Sequence, residues 1–245
     1  MSEKTNVKRI IPDGAGAAKL EAWPEMDPAA LVSGTPVQSG CFHDEVEAED
    51  YSVGIWECTA FVDQPGPYPV DEFMLLLEGS VEMAMPDGTA FAVGPGEAFI
   101  IPKGLECQWK MPGTVRKIFM ILDGSTPTSG AAAASNDSLH RITVPALAAR
   151  PVPEGAVVER TTCFVNHDGR MRVHIDNYPA PLIEPVPCAG RHLVHVLEGA
   201  VKLGDAPDMA FGKGDSFYLM PGSAAAWRIE AGTRLLTATC DLDQH

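Results

Sequence analysis

The sequence predicts an all-β protein built as two tandem barrels with few short helices. Three observations carry that expectation: the chain repeats itself, each copy has the spacing of short strands, and glycine and proline punctuate the strands closely. Glu72 to Met83 reads EFMLLLEGSVEM and His192 to Leu203 reads HLVHVLEGAVKL. Each is an apolar strand, a Leu-Glu-Gly turn and a second short strand. Further on, Ala92 to Met111 (AVGPGEAFIIPKGLECQWKM) aligns without gaps on Ala210 to Ile229 (AFGKGDSFYLMPGSAAAWRI). The two share Ala92/Ala210, Gly94/Gly212, Gly96/Gly214, Phe99/Phe217, Gly104/Gly222 and Trp109/Trp227. The offset is 120 in the first block and 118 in the second, so one turn is two residues shorter in the second copy. Cys41-Phe42 and Cys163-Phe164, at an offset of 122, extend the repeat upstream.

These blocks predict two homologous domains. The first covers 1–124, including a leading segment, 1–40, in which the strand pattern is weak. In that segment Val7 to Pro12 is expected to be an added edge strand, matching Leu139 to Val144, and Glu21 to Pro24 a covering loop. Residues 125–137 lie in a small-residue stretch of linker character, and 138–245 form the second domain. Half of 245 residues is enough to bury a core without disulfide or metal support.

Within the first copy the strands follow in order. Glu72 to Leu77 is an apolar run ending near a glycine; Val81, Met83 and Met85 then alternate with Glu82 and Ala84. Pro86-Asp87-Gly88 turns the chain, Phe91 to Val93 restarts the sheet, and Gly94-Pro95-Gly96 turns it again. Phe99 to Ile101 is the next strand, closed by Pro102-Lys103-Gly104. Strands this short, with 23 Gly and 21 Pro in the chain, predict a sandwich or barrel.

A formal charge of −15 argues against nucleic-acid binding, which rewards Lys and Arg, and against an anionic membrane surface. The six cysteines form no CxxC pair, the N-terminus has no apolar core of signal-peptide length, and no stretch approaches the ~20 apolar residues of a membrane helix. A cytosolic chain with reduced thiols is expected. No GxSxG, phosphate-cradling GxxxxGK[ST] or helix-opening GxGxxG occurs.

Glu72 followed seven residues later by Gly79, then Gly96, Pro102 and Gly104 at their spacing, resemble the two motifs of the cupin superfamily. The resemblance covers roughly Val53 to Leu122 and Val173 to Asp241, and it implies two jelly-roll (double-stranded β-helix) barrels. In that family a His-x-His before the acid and a histidine ending the second motif complete a metal site. Here the His-x-His regions are Pro65 to Pro69 and Pro185 to Cys188, without histidine, and Cys107 and Ala225 stand at the last ligand positions. His192 stands at the acid position of the second copy. The pattern resembles the metal-ligand-poor cupin branch that includes the ethanolamine-utilisation cupin. No cofactor is therefore expected, with a divalent metal on His174, Cys188 and His192 as the alternative.

Strand parity puts Met74 and Leu76 on the face of Glu72, Val194 and Val196 on that of His192, and Trp109 and Trp227 on those of Cys107 and Ala225. The candidate ligand-binding residues are Tyr68, Glu72, Met74, Cys107, Trp109, His192 and Trp227. Plainer readings stand beside these: a structural hydrogen bond for Glu72, a small buried hydrophobe for Cys107, core caps for the tryptophans. The expected function is binding of a small organic metabolite in an apolar and aromatic lumen. The alternatives are a lyase, isomerase or hydrolase with Glu72 as acid/base, and a structural or assembly module. A homodimer through sheet edges is a further expectation.

Overall fold

The computed structural model of the protein describes residues 6–12, 19–123, 138–142, 158–185, 189–204, 209–223 and 226–242. The chain runs through β1 (Val7–Ile10), β2 (Glu21–Ala22), β3 (Leu31–Gly34), β4 (Gln38–Val46), β5 (Tyr51–Cys58), β6 (Phe61–Asp63) and β7 (Gly66–Pro67). It continues as β8 (Asp71–Glu78), β9 (Val81–Ala84), β10 (Ala90–Val93), β11 (Ala98–Ile101), β12 (Glu106–Met111) and β13 (Val115–Leu122). The second half is β14 (His140–Ile142), β15 (Glu159–Val165), β16 (Met171–Tyr178), β17 (Leu182–Pro185), β18 (Arg191–Glu198) and β19 (Ala200–Leu203). It ends in β20 (Ala210–Gly212), β21 (Ser216–Leu219), β22 (Ala226–Ile229) and β23 (Thr233–Cys240). The strand pairs are antiparallel, and helix among the described residues is confined to short 3-10 turns such as Pro28–Ala30.

The described residues fall into two compact units. In the N-terminal barrel one sheet has the order β14-β11-β8-β13-β5-β4-β2 and faces another of order β10-β9-β12-β6-β3, with β7 beside β12. Their inner faces share one core: Trp56, Met74, Leu76, Phe99 and Phe119 from the first sheet, Met83, Cys107 and Trp109 from the second. The C-terminal barrel repeats the plan, with sheets β1-β21-β18-β23-β16-β15 and β17-β22-β19-β20 around Val194, Val196, Phe217, Leu235, Phe211 and Trp227. This is the pair of domains that the repeat predicts, in the jelly-roll form that the resemblance implies.

The matching edge strands are present but exchanged. β1 pairs with β21 of the C-terminal barrel, Val7 opposite Leu219, and β14 pairs with β11 of the N-terminal one, Ala98 opposite Ile142. Each barrel would otherwise present an unpaired edge at β11 or β21, so each takes the strand that precedes the other copy. A cut at 125–137 therefore does not sort the strands into the two units.

Register corrects one block of the repeat. Phe42 lies opposite Gly54, whereas Phe164 lies opposite Val173, and it is Thr162 that faces His174. Bulges in β4 and β15 shift the pairing near those residues, so Cys41-Phe42 and Cys163-Phe164 are not equivalent. The true offset there is 120, as in the first block. The Leu-Glu-Gly phrase has a backbone cause. Gly79 and Gly199 turn the chain at φ 77° and 75°, and a Cβ at Gly79 would stand 2.1 Å from the Thr114 carbonyl oxygen.

Candidate functional site

In the N-terminal barrel the functional side chains come from β5, β8, β12 and β13. β8 points Glu72 inward, where it is 2% exposed, and β13 brings Lys117 against it. Lys117 Nζ donates to Glu72 Oε1 at 2.8 Å and lies 3.3 Å from Met74 Sδ. The ammonium also sits over two indole faces, 4.6 Å from the Trp56 ring and 4.7 Å from the Trp109 ring. The other carboxylate oxygen, Oε2, accepts the Tyr68 hydroxyl, whose pKa is pushed well above its usual value by burial and by the Glu72 charge. Both oxygens of Glu72 are thus engaged inside the protein.

The rest of that lumen is filled. Tyr68 stacks on Trp109 with centroids 6.4 Å apart, and Phe99 tilts against it at 6.2 Å. Burial pushes the Cys107 thiol up to about 12, with Asp63 and Glu106 adding to the effect, so it stays a protonated thiol at neutral pH. At the mouth Trp23 stacks on Phe42 at 4.9 Å and meets Phe119 edge-on at 6.2 Å. Trp23 follows β2, where a covering loop is expected, and a cavity of about 210 Å³ lies beside it, reaching Trp56, Glu72 and Lys117.

The C-terminal barrel differs. A cavity of about 740 Å³ opens into it, walled by Leu182, Trp227, Ile229 and Leu235. Polar side chains converge on it: Arg160 and Thr162 from β15, His174, Asp176 and Tyr178 from β16, His192 from β18, Thr237 and Thr239 from β23. Arg160 clamps Asp176 with two parallel bonds, Nε to Oδ1 at 2.7 Å and Nη2 to Oδ2 at 2.8 Å. His174 Nε2 lies 3.3 Å from Asp176 Oδ2. Burial alone would raise the Asp176 carboxyl, but the hydrogen bonds from His174 and Arg160 outweigh it and hold the group below its usual value. Burial, reinforced by His174, pushes the His192 imidazole down to about 4, which makes it neutral at pH 7. His195, on the opposite face of β18, is also pushed by burial to about 4 and lies 2.8 Å from Ser216 Oγ through Nδ1.

Three cross-strand pairs account for the contrast. Gly54 faces Phe119 in the N-terminal barrel, where His174 faces Thr237 in the other. Trp56 faces Lys117, where Asp176 faces Leu235. Glu72 faces Ile121, where His192 faces Thr239. A Cβ on Gly54 would stand 3.1 Å from Phe119 Cζ and 2.1 Å from the Cys41 carbonyl oxygen, so the aromatic ring requires glycine opposite. Threonine at 237 leaves the space that His174 uses.

Of the residues singled out from sequence, Tyr68, Glu72, Met74, Cys107 and Trp109 come together in the N-terminal core, and His192 and Trp227 line the C-terminal cavity. Cys188 and Ala225 lie outside the described residues. Sequence reasoning missed Lys117, Trp56, Arg160, Asp176, Thr237 and Thr239. Lys117 carried a signal: it is a charged residue at the parity of Val115, Phe119 and Ile121 in a strand otherwise apolar on that face, whereas Asp176 shares its face with Arg172, His174 and Tyr178. The residues beside Glu72 do not fit a divalent metal, because the Lys117 ammonium already lies on that carboxylate. Among the described residues no three His, Cys, Asp or Glu side chains converge as a metal site.

Residues 46–119 match the family model of the EutQ-like cupin domain. No curated protein gives a significant match. Among solved structures, a protein of unknown function from Pseudomonas syringae pv. tomato superposes with a TM-score of 0.67 at 17% identity, over 96% of this chain and 100% of that one. Protein Ylba from E. coli superposes with a TM-score of 0.54 at 16% identity, over 100% and 95%. A cupin 2 conserved barrel domain protein from Leptotrichia buccalis gives 0.57 at 12% identity, over 91% and 99%. At these identities the likeness is one of fold. Among the described residues no helix is long and apolar enough to cross a membrane. The first barrel thus carries a domain similar to the EutQ-like cupin domain, and the two barrels share the fold of these cupin structures.

Proposed function

We propose that the protein binds a small polar organic metabolite in its C-terminal barrel and does so in the cytosol. The observation that carries the reading is the cavity of about 740 Å³, which combines apolar walls with converging hydrogen-bonding groups. That volume lies within the range of roughly 300–1,000 Å³ typical of small-molecule sites. The N-terminal cavity, at about 210 Å³, is smaller than that range, and the charged pair beneath it is satisfied internally. Glu72 is better suited to structural hydrogen bonding than to acid/base work, since both its oxygens are occupied. No disulfide joins the described cysteines, in keeping with a reducing compartment.

A second, enzymatic reading has one specific support in the same cavity. Arg160 fixes Asp176, and Asp176 orients the His174 imidazole, which is an arrangement suited to proton transfer. A thermal-shift screen of small carboxylic acids, amines and polyols tests the binding reading. Compounds that raise Tm are expected to lose their effect in His174→Gly/Thr237→Phe, which copies the Gly54–Phe119 pair, and to keep it in Tyr68→Phe. Shifts that survive the copied pair would remove the C-terminal barrel as the site.

A further inference from the structure

The Lys117 ammonium has the surroundings of a bound ligand. Its Nζ touches one carboxylate oxygen at 2.8 Å and one thioether at 3.3 Å, and two indoles wall it at 4.6 and 4.7 Å. Those indoles are themselves nearly perpendicular, at 80° with centroids 6.5 Å apart, so they form two sides of a box whose floor is Glu72. Aromatic faces with one carboxylate suit a weakly hydrated organic monocation, whose charge is spread over alkyl and ammonium groups. They suit a divalent ion poorly, since Zn²⁺ or Mg²⁺ requires several N, O or thiolate donors to replace its hydration. The corresponding cross-strand pair of the C-terminal barrel is Asp176 and Leu235, so this box occurs in only one copy of the repeat. The cavity of about 210 Å³ touches Trp56, Glu72 and Lys117 and gives a small amine a route to it.

We infer that the N-terminal barrel contains an alkylammonium-binding site, made by Glu72, Trp56, Trp109 and Met74, which the chain fills with its own Lys117.

Truncating Lys117→Ala removes the equivalent of n-propylammonium and leaves Cβ in place. Adding n-propylammonium chloride to the full-length variant should raise its Tm in a saturable way, beyond the effect of equimolar sodium chloride. The rise should be absent from the wild-type protein, whose site is filled, and from Lys117→Ala/Glu72→Gln. A variant response no larger than that to sodium chloride overturns the inference. If Lys117→Ala does not fold alone, the same comparison is made on refolding yield: recovery with n-propylammonium supports the site, and equal yields in the two salts refute it. Mn²⁺ and Zn²⁺ titrations of the wild-type protein give an independent arm. Uptake that depends on Glu72, lost in Glu72→Gln, overturns the inference, and uptake unaffected by that change supports it.

Discussion

Lys117 and Glu72 are 7% and 3% exposed in their side chains, which makes their pairing costly to disturb from one side only. Removing one member of a buried ion pair leaves the other charge without compensation, and such changes cost about 3–5 kcal/mol. Lys117→Met is therefore expected to destabilise the N-terminal barrel by about that amount in urea unfolding. Lys117→Met/Glu72→Leu should recover most of the loss, because apolar side chains of similar volume replace buried pairs at little cost. Equal losses in the single and double variants would mean that packing, and not charge, holds Lys117 in place. In the sequence Lys117 is one cation in the strand VRKIFMIL, sharing its parity with Phe119 and Ile121. Its partner Glu72 is 45 residues away, and only the register of β13 against β8 brings the two together.

Paired strands decide which barrel is open. Gly54 in β5 and Phe119 in β13 are matched in size, and Gly54→Ala would push a methyl to within 2.1 Å of the Cys41 carbonyl oxygen. Backbone cannot yield as a flexible side chain can, so a loss of about 3 kcal/mol is expected, at the upper end of overpacking changes. Its check is the denaturation midpoint, and a loss below about 1 kcal/mol would show that β4 moves aside readily. The strands, the Leu-Glu-Gly turns and the apolar lumen were legible from periodicity and from the repeat. The polarity of the C-terminal cavity was not. His174 could be seen as a candidate, but Asp176 and Thr237 gain their meaning only when β16 and β23 are set side by side. The shift from an offset of 120 to one of 118 between those strands hides the pairing from a linear reading. Exchange of β1 and β14 was invisible for a similar reason, since an edge strand carries no mark of which sheet it will join.

Across the whole molecule, the two barrels are expected to answer acid in opposite ways. His192 and His195 are held at about 4, below the histidine value of 6.5, because burial favours their neutral forms. Their contribution to stability is present above pH 6.5 and is lost as pH falls through about 4. For His192 the shift corresponds to roughly 3 kcal/mol. Asp63, in the N-terminal barrel, is raised to about 6 by burial, against an opposing hydrogen bond from the Trp109 N–H. It contributes stability that is full below 3.8 and disappears as pH rises through about 6. Hydrogen exchange followed by mass spectrometry at pH 7 and pH 4.5 should therefore show protection falling in β16, β18 and β23 more than in β5, β8 and β13. Equal loss in both barrels would mean that these histidines titrate freely.

One barrel filled by its own side chains and one left open for a ligand is the central claim, and titration calorimetry tests it most directly. With the compound that raises Tm most, the wild-type chain should bind one equivalent. Tyr68→Phe should bind the same, and His174→Gly/Thr237→Phe should bind none. Two equivalents per chain, or binding that survives in His174→Gly/Thr237→Phe but fails in Tyr68→Phe, would contradict the account and move the working site to the N-terminal barrel.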